Sequence, residues 1–92
     1  MVFKLHNLEY SNKAKKFLKS LDKHIIERIL NSLERLKNNP ILSDSKFIGR
    51  DENGEKVFRC RMGDYRALYK LKESEKIILI TKIDKKPRVY DK

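Results

Sequence analysis

Arginines at positions 59, 61 and 66 flank a Gly63-Asp64 pair in the run Arg-Cys-Arg-Met-Gly-Asp-Tyr-Arg-Ala-Leu-Tyr that ends at Tyr69. Read as two short strands around a turn, this run sends Arg59 and Arg61 out of one face of a sheet. Phe58 and Cys60 leave the other face, because side chains alternate along a strand. Arg66, on the returning strand, lands beside the first two. Three guanidiniums gathered on one small sheet repel one another, so folding alone gives no reason to collect them. A phosphate backbone does, since the planar guanidinium forks onto phosphate oxygens and keeps its charge. The plainer alternative is a solvated face whose charges are partly paired with Glu55, Asp64 or Glu73.

Other reactive side chains are sparse. His6 and His24 stand apart, and nothing in the spacing joins them as an acid–base pair. Cys60 shares the Phe58 face and reads as a buried thiol. No spacing of His, Cys, Asp or Glu suits zinc, and no Gly-rich phosphate loop or Ser-His-Asp set occurs. Neither a metal nor a cofactor is expected. The segment after Asp84 crowds Lys85, Lys86, Arg88 and Tyr90 together. Beside cations a phenolate is favoured, so Tyr90 either exchanges a proton, stacks on a base, or simply packs the terminus.

The elements that must position these groups follow from patterning. The chain has 92 residues and a net charge of +10, enough for one domain spanning 1–92 with a single modest core. Residues 1–45 carry 9 basic and 5 acidic side chains, and 46–92 carry 14 and 8. Both halves are basic, so the charge belongs to the folded body and favours a polyanionic partner. With one cysteine, no apolar run near ~20 residues and no secretory stretch, the expected location is the cytoplasm, with no membrane association. Val2–His6 reads as a first strand. Ser11 or Asn12 caps a helix with Ala14, Phe17, Leu18 and Leu21 on one face. A second helix from Asp22 buries Ile25, Ile26, Ile29, Leu30, Leu33 and Leu36, and Asn38-Asn39-Pro40 stops it. Residues 41–55 read as a polar loop and turn. Lys56–Met62 and Tyr65–Lys72 alternate as strands, and Ile77–Ile83 reads as a central strand buried on both faces. The expectation is an α+β domain of order β-α-α-β-β-β, a helical hairpin packed on a mainly antiparallel sheet.

That order resembles the RelE/ParE toxin superfamily, its RelE branch above all. The same holds for Lys46-Phe-Ile-Gly49, the set Arg59, Arg61, Tyr65, Arg66 and Tyr69, and the closing basic pair before Val89-Tyr90. The resemblance covers nearly the whole chain. It implies the toxin of a type II toxin–antitoxin pair, an mRNA interferase that cuts the codon in the ribosomal A site. The ribose 2′-hydroxyl would attack without a metal, leaving a 2′,3′-cyclic phosphate and a 5′-hydroxyl. By the resemblance Arg59 acts on the scissile phosphate and Arg66 stabilises the phosphorane. Lys86 serves as acid or phosphate ligand, and Tyr90 as base or stacking platform. Lys46, Lys56, Arg61, Lys85 and Arg88 are the implied RNA contacts. The first basic position of the family strand falls on Val57 here, with Lys56 one step out of phase and on the opposite face. Arg88 is an alternative to Lys86. The implied partners are the ribosome, mRNA and an acidic, partly disordered RelB-like antitoxin, in a heterodimer or heterotetramer. Two other readings stand beside it: a ParE-like, non-catalytic inhibitor of DNA gyrase, and a small basic nucleic-acid-binding module.

Overall fold

Ser11 closes the first strand and opens the first helix. Its hydroxyl accepts from the Ala14 backbone N–H at 3.1 Å and donates to the Thr81 carbonyl at 2.9 Å, tying the helix start to the last strand. The computed structural model describes residues 6–41 and 45–85. Strand β1 (Asn7–Tyr10) leads to α1 (Asn12–Lys19) and α2 (Lys23–Glu34), which tightens into a 3-10 turn (Arg35–Lys37). Strands β2 (Ser45–Arg50), β3 (Lys56–Met62), β4 (Tyr65–Lys72) and β5 (Ile77–Lys85) follow. Asp22 occupies the N-cap position of α2 with extended backbone but makes no side-chain cap bond. The five strands form one sheet in the order β1-β5-β4-β3-β2. β1 runs parallel to β5, and all other neighbours are antiparallel.

The helices cover one face. Ala14, Leu18, Ile29, Leu33 and Leu36 pack on Phe58, Cys60, Ala67, Tyr69, Leu71, Ile78, Ile80 and Ile83. Each large aliphatic side chain buried this way contributes about 1.5–3 kcal/mol. Tyr69, wholly buried, stacks on Phe58 with ring centres 5.6 Å apart. Its hydroxyl donates to the Pro40 carbonyl at 2.6 Å and lies 3.1 Å from Ser45 Oγ. One side chain thereby joins the end of the helical hairpin to the start of β2. Burial, and then the charge of Glu34, push the Tyr10 hydroxyl up to about 12.

Three expectations change. The first described strand is Asn7–Tyr10, later than the Val2–His6 reading; Val2–Leu5 lie outside the described residues. Asn7 and Glu9 are poor strand formers, but they face solvent while Leu8 and Tyr10 pack on the core. The polar stretch read as a loop contains β2, which raises the strand count to five. An edge strand need not look apolar, and the ladder shifts register between Phe47 and Gly49, whose φ of 154° an L side chain rarely adopts. Finally, β5 is an inner strand buried on one face only, with Ile77, Leu79 and Thr81 half-buried on the other. Ile80 and Ile83 both reach the core because the pairing slips at Thr81, whose hydroxyl donates to the Leu68 carbonyl at 3.2 Å.

Candidate nucleic-acid interface

The face away from the helices is built by the β3–β4 hairpin. Gly63 takes φ 68° at the first position of a two-residue turn, the place where type II′ hairpins need glycine. Met62 then pairs with Tyr65, Arg61 with Arg66, Cys60 with Ala67 and Arg59 with Leu68. Phe58, Cys60, Ala67 and Tyr69 are buried against the helices, so Arg59, Arg61, Arg66 and Leu68 point the other way. Register extends these into ranks across the sheet. Lys46, Arg59, Leu68 and Lys82 form one, and Arg61, Arg66 and Asp84 form the next. Arg61 and Arg66 sit directly opposite, a like-charge pairing that destabilises a sheet.

Counter-ions are unevenly shared. Arg66 Nε lies 3.0 Å from Asp84 Oδ1, and Lys82 Nζ lies 3.6 Å from Asp84 Oδ2. Lys70, further along the same face, is held 2.7 Å from Asp51 Oδ2. The other Asp51 oxygen accepts the backbone N–H groups of Asn53 and Glu55, each at 2.9 Å. The Lys70 ammonium, then the Glu55 N–H, hold the Asp51 carboxyl below its ordinary value, and Asp51 in turn raises Lys70. Among the described residues, Lys46, Arg59 and Arg61 have no carboxylate within 4 Å. The face therefore has an unpaired cationic end at β2–β3 and a neutralised end at Lys70.

The sequence-expected residues divide accordingly. Lys46, Arg59, Arg61 and Arg66 share one face. Lys56 does not; it shares the parity of Phe58, on the helix side, with its ammonium 3.6 Å from Glu73. Lys85 pairs with Tyr65 and lines a groove of about 290 Å³ with Arg28, Ser32 and Asp64, again on the helix side. Lys86, Arg88 and Tyr90 lie outside the described residues. His6 donates its backbone N–H to Lys37, at the far end of α2 from His24. The intervening helical run separates these histidines by roughly 20 Å at 1.5 Å per residue. Cys60 is buried. Among the described residues no three His, Cys, Asp or Glu gather as a metal site, and no helix is long and apolar enough to cross a membrane.

Two members of the face were not foreseen. Lys82 lies within the strand expected to be buried on both faces, and Asp84 one residue beyond its expected end. Their spacing of two places them on one face, but only the slip at Thr81 decides that it is the arginine face. The arrangement suits phosphate recognition: forked donors share the sheet face away from the helices, with half-buried Leu68 between them.

The family model described as the ParE toxin of the type II toxin–antitoxin system parDE matches residues 8–90. The inferred toxin RelE1 of Methanocaldococcus jannaschii is 31% identical over 84 residues, covering 91% of this chain and 93% of the relative. The archaeal RelE in the RelE–RelB complex from Pyrococcus horikoshii superposes with a TM-score of 0.80 at 25% identity, covering 92% of this chain and 99% of that one. The isolated Escherichia coli RelE toxin gives 0.75 at 16% identity, over 91% and 87%, a likeness of fold alone. The family description is thus of ParE type, and the individual relatives are of RelE type.

Proposed function

Since this chain belongs to the RelE/ParE family of type II toxins, we propose that it is a ribosome-dependent endoribonuclease cutting mRNA in the A site. The observation that supports this reading is the convergence of Lys46, Arg59, Arg61 and Arg66 on one sheet face, the one away from the helices. In the proposed reaction the ribose 2′-oxygen bonds to the adjacent phosphorus and the bond to the 5′-oxygen breaks. The products are a 2′,3′-cyclic phosphate and a 5′-hydroxyl. Arg59 and Arg66 draw the phosphate in and stabilise the charge that builds on the phosphorane. Lys46 and Arg61 hold the flanking backbone. Tyr90, with Lys86 or Arg88, takes the proton from the 2′-hydroxyl and returns one to the leaving oxygen. No strong general base stands among the described residues of the face, so the rate rests on orientation and charge, part of which the ribosome supplies.

The P. horikoshii relative was solved with RelB. For this chain the corresponding partner is an acidic, partly disordered antitoxin that folds as it binds and covers the basic toxin. The complex is a heterodimer or heterotetramer, formed in the cytoplasm.

The ParE description of the family favours a second reading, inhibition of DNA gyrase without catalysis. A gyrase binder has no need for Arg59, Arg66 and a terminal tyrosine together, which is why the nuclease reading is preferred. Toeprinting on programmed ribosomes, run beside a supercoiling assay, separates the two. The expected result is A-site cleavage, lost in Arg66→Ala, with supercoiling untouched. Cleavage surviving in Arg66→Ala would remove the site assignment, and loss of supercoiling instead would establish the gyrase reading.

A further inference from the structure

We propose that Asp84 is a positioning residue for Arg66: it holds the Nε–H edge of the guanidinium and turns the two terminal nitrogens toward the RNA phosphate. This role rests on the nuclease reading above. Asp84 and Arg66 are Cα partners across β4 and β5, and the contact is specific, Nε to Oδ1 at 3.0 Å. A guanidinium carries five N–H donors in one rigid plane. With Nε engaged, the four terminal donors remain to fork a phosphate, and the plane can no longer swing about its long side chain. The ordering entropy is thus spent before RNA arrives.

The surroundings make such a hold necessary. Arg61 stands directly opposite on β3 and repels Arg66, so an unheld guanidinium would swing away from the face. Asp84 is itself fixed from a second side, with its other oxygen 3.6 Å from Lys82 Nζ. One carboxylate between two cations leaves a net positive trio, which still attracts phosphate. The side chains of Arg66 and Asp84 are 34% and 29% exposed, so the bond is shielded from water on part of its surface only. A partly exposed pair of this kind contributes little to folding stability.

Charge and geometry then predict opposite effects of removing Asp84. Deleting a carboxylate beside a polyanion site tightens RNA binding, while freeing Arg66 slows the chemical step. The experiment uses the full chain in single-turnover cleavage of mRNA on programmed ribosomes, comparing wild type, Asp84→Ala, Asp84→Asn and Arg66→Ala. Thermal midpoints and ¹⁵N spectra of the arginine Nε–H groups accompany it. Asp84→Ala should cut kcat on the order of ten- to a hundredfold with KM unchanged or lower. Asp84→Asn, which keeps an acceptor, should restore most of kcat. A slowly exchanging Arg66 Nε–H should be present in wild type and Asp84→Asn and absent in Asp84→Ala.

Wild-type kcat in Asp84→Ala, or a rapidly exchanging Arg66 Nε–H in wild type, overturns the proposal. So does an equal loss in both Asp84 variants with a lowered thermal midpoint, which would make the pair structural. Should Arg66→Ala be inactive while Asp84→Ala is not, only the positioning role falls. A wild type that cleaves nothing instead overturns the nuclease reading, and this role with it.

Discussion

The uneven pairing of the basic face makes the affinity proposed for single-stranded RNA a countable quantity. Lys46, Arg59 and Arg61 are unpaired among the described residues; Arg66 and Lys82 share Asp84 and together supply one further net charge. Lys70 adds nothing, because Asp51 holds it at 2.7 Å. Each phosphate neutralised on a single strand contributes about 0.7 to the slope of log affinity against log salt. Four net charges give a slope near −2.8, a fall of about fiftyfold between 50 and 200 mM salt. Arg59→Ala or Arg61→Ala should each make the slope shallower by about 0.7, reducing that fall to about twentyfold. Replacing both members of the pair, Lys70→Met with Asp51→Asn, removes no net charge and should leave the slope nearly unchanged. Fluorescence anisotropy with a short labelled RNA measures all four proteins. The basic residues after Lys85 add the same increment to each, so the differences between variants carry the test. A slope in the Lys70→Met, Asp51→Asn protein as shallow as that of Arg59→Ala, or wild-type slopes in both arginine variants, would refute the assignment of the face.

Two further outcomes follow from contacts away from the arginines. Tyr69→Phe keeps the stack on Phe58 but loses the hydroxyl that reaches Pro40 and Ser45, and should destabilise the protein by about 2 kcal/mol in urea unfolding; a change below about 0.5 kcal/mol would show that water replaces both bonds. The Asp51–Lys70 pair should contribute at neutral pH and fail at both extremes. Asp51 sits below its ordinary value of 3.8, so its contribution is present above that value and vanishes as pH falls through the lowered one. Lys70 sits above 10.5, so its contribution is present below that value and vanishes as pH rises through the raised one. Urea midpoints of wild type and Lys70→Met should therefore differ near neutrality and converge in strong acid and strong base. A gap that persists unchanged in acid would contradict the pairing.

How far the chain reveals itself depends on which signal each element carries. Helices with apolar residues at regular spacing, and strands with alternating parity around Gly63-Asp64, were legible because their buried faces dictate the pattern. β3 and β4 begin and end where the alternation does. β1 and β2 were not, because both are sheet edges: Asn7, Glu9, Lys46 and Arg50 satisfy solvent rather than a core. The candidate site followed the same division. Arg59, Arg61 and Arg66 share a hairpin, so local parity suffices to join them. Lys82 and Asp84 enter from a strand whose phase changes at Thr81, and a local slip in pairing leaves no mark in composition. Lys46 was placed through a family likeness, and its register opposite Arg59 supplies the physical reason.

The parallel pairing of β1 with β5 also sets an order of events. Ser11 and Thr81 meet across seventy positions of chain, whereas the arginine hairpin closes through two. Contacts so distant form slowly, and synthesis delivers the early segment first. A nascent chain that stops short of β5 carries the hairpin without the strand bearing Asp84, and its first helix lacks the strand it packs on most closely. The arginine face is therefore incomplete until β5 has emerged and paired, so a partly made molecule carries the cations of the hairpin without the carboxylate that holds one of them.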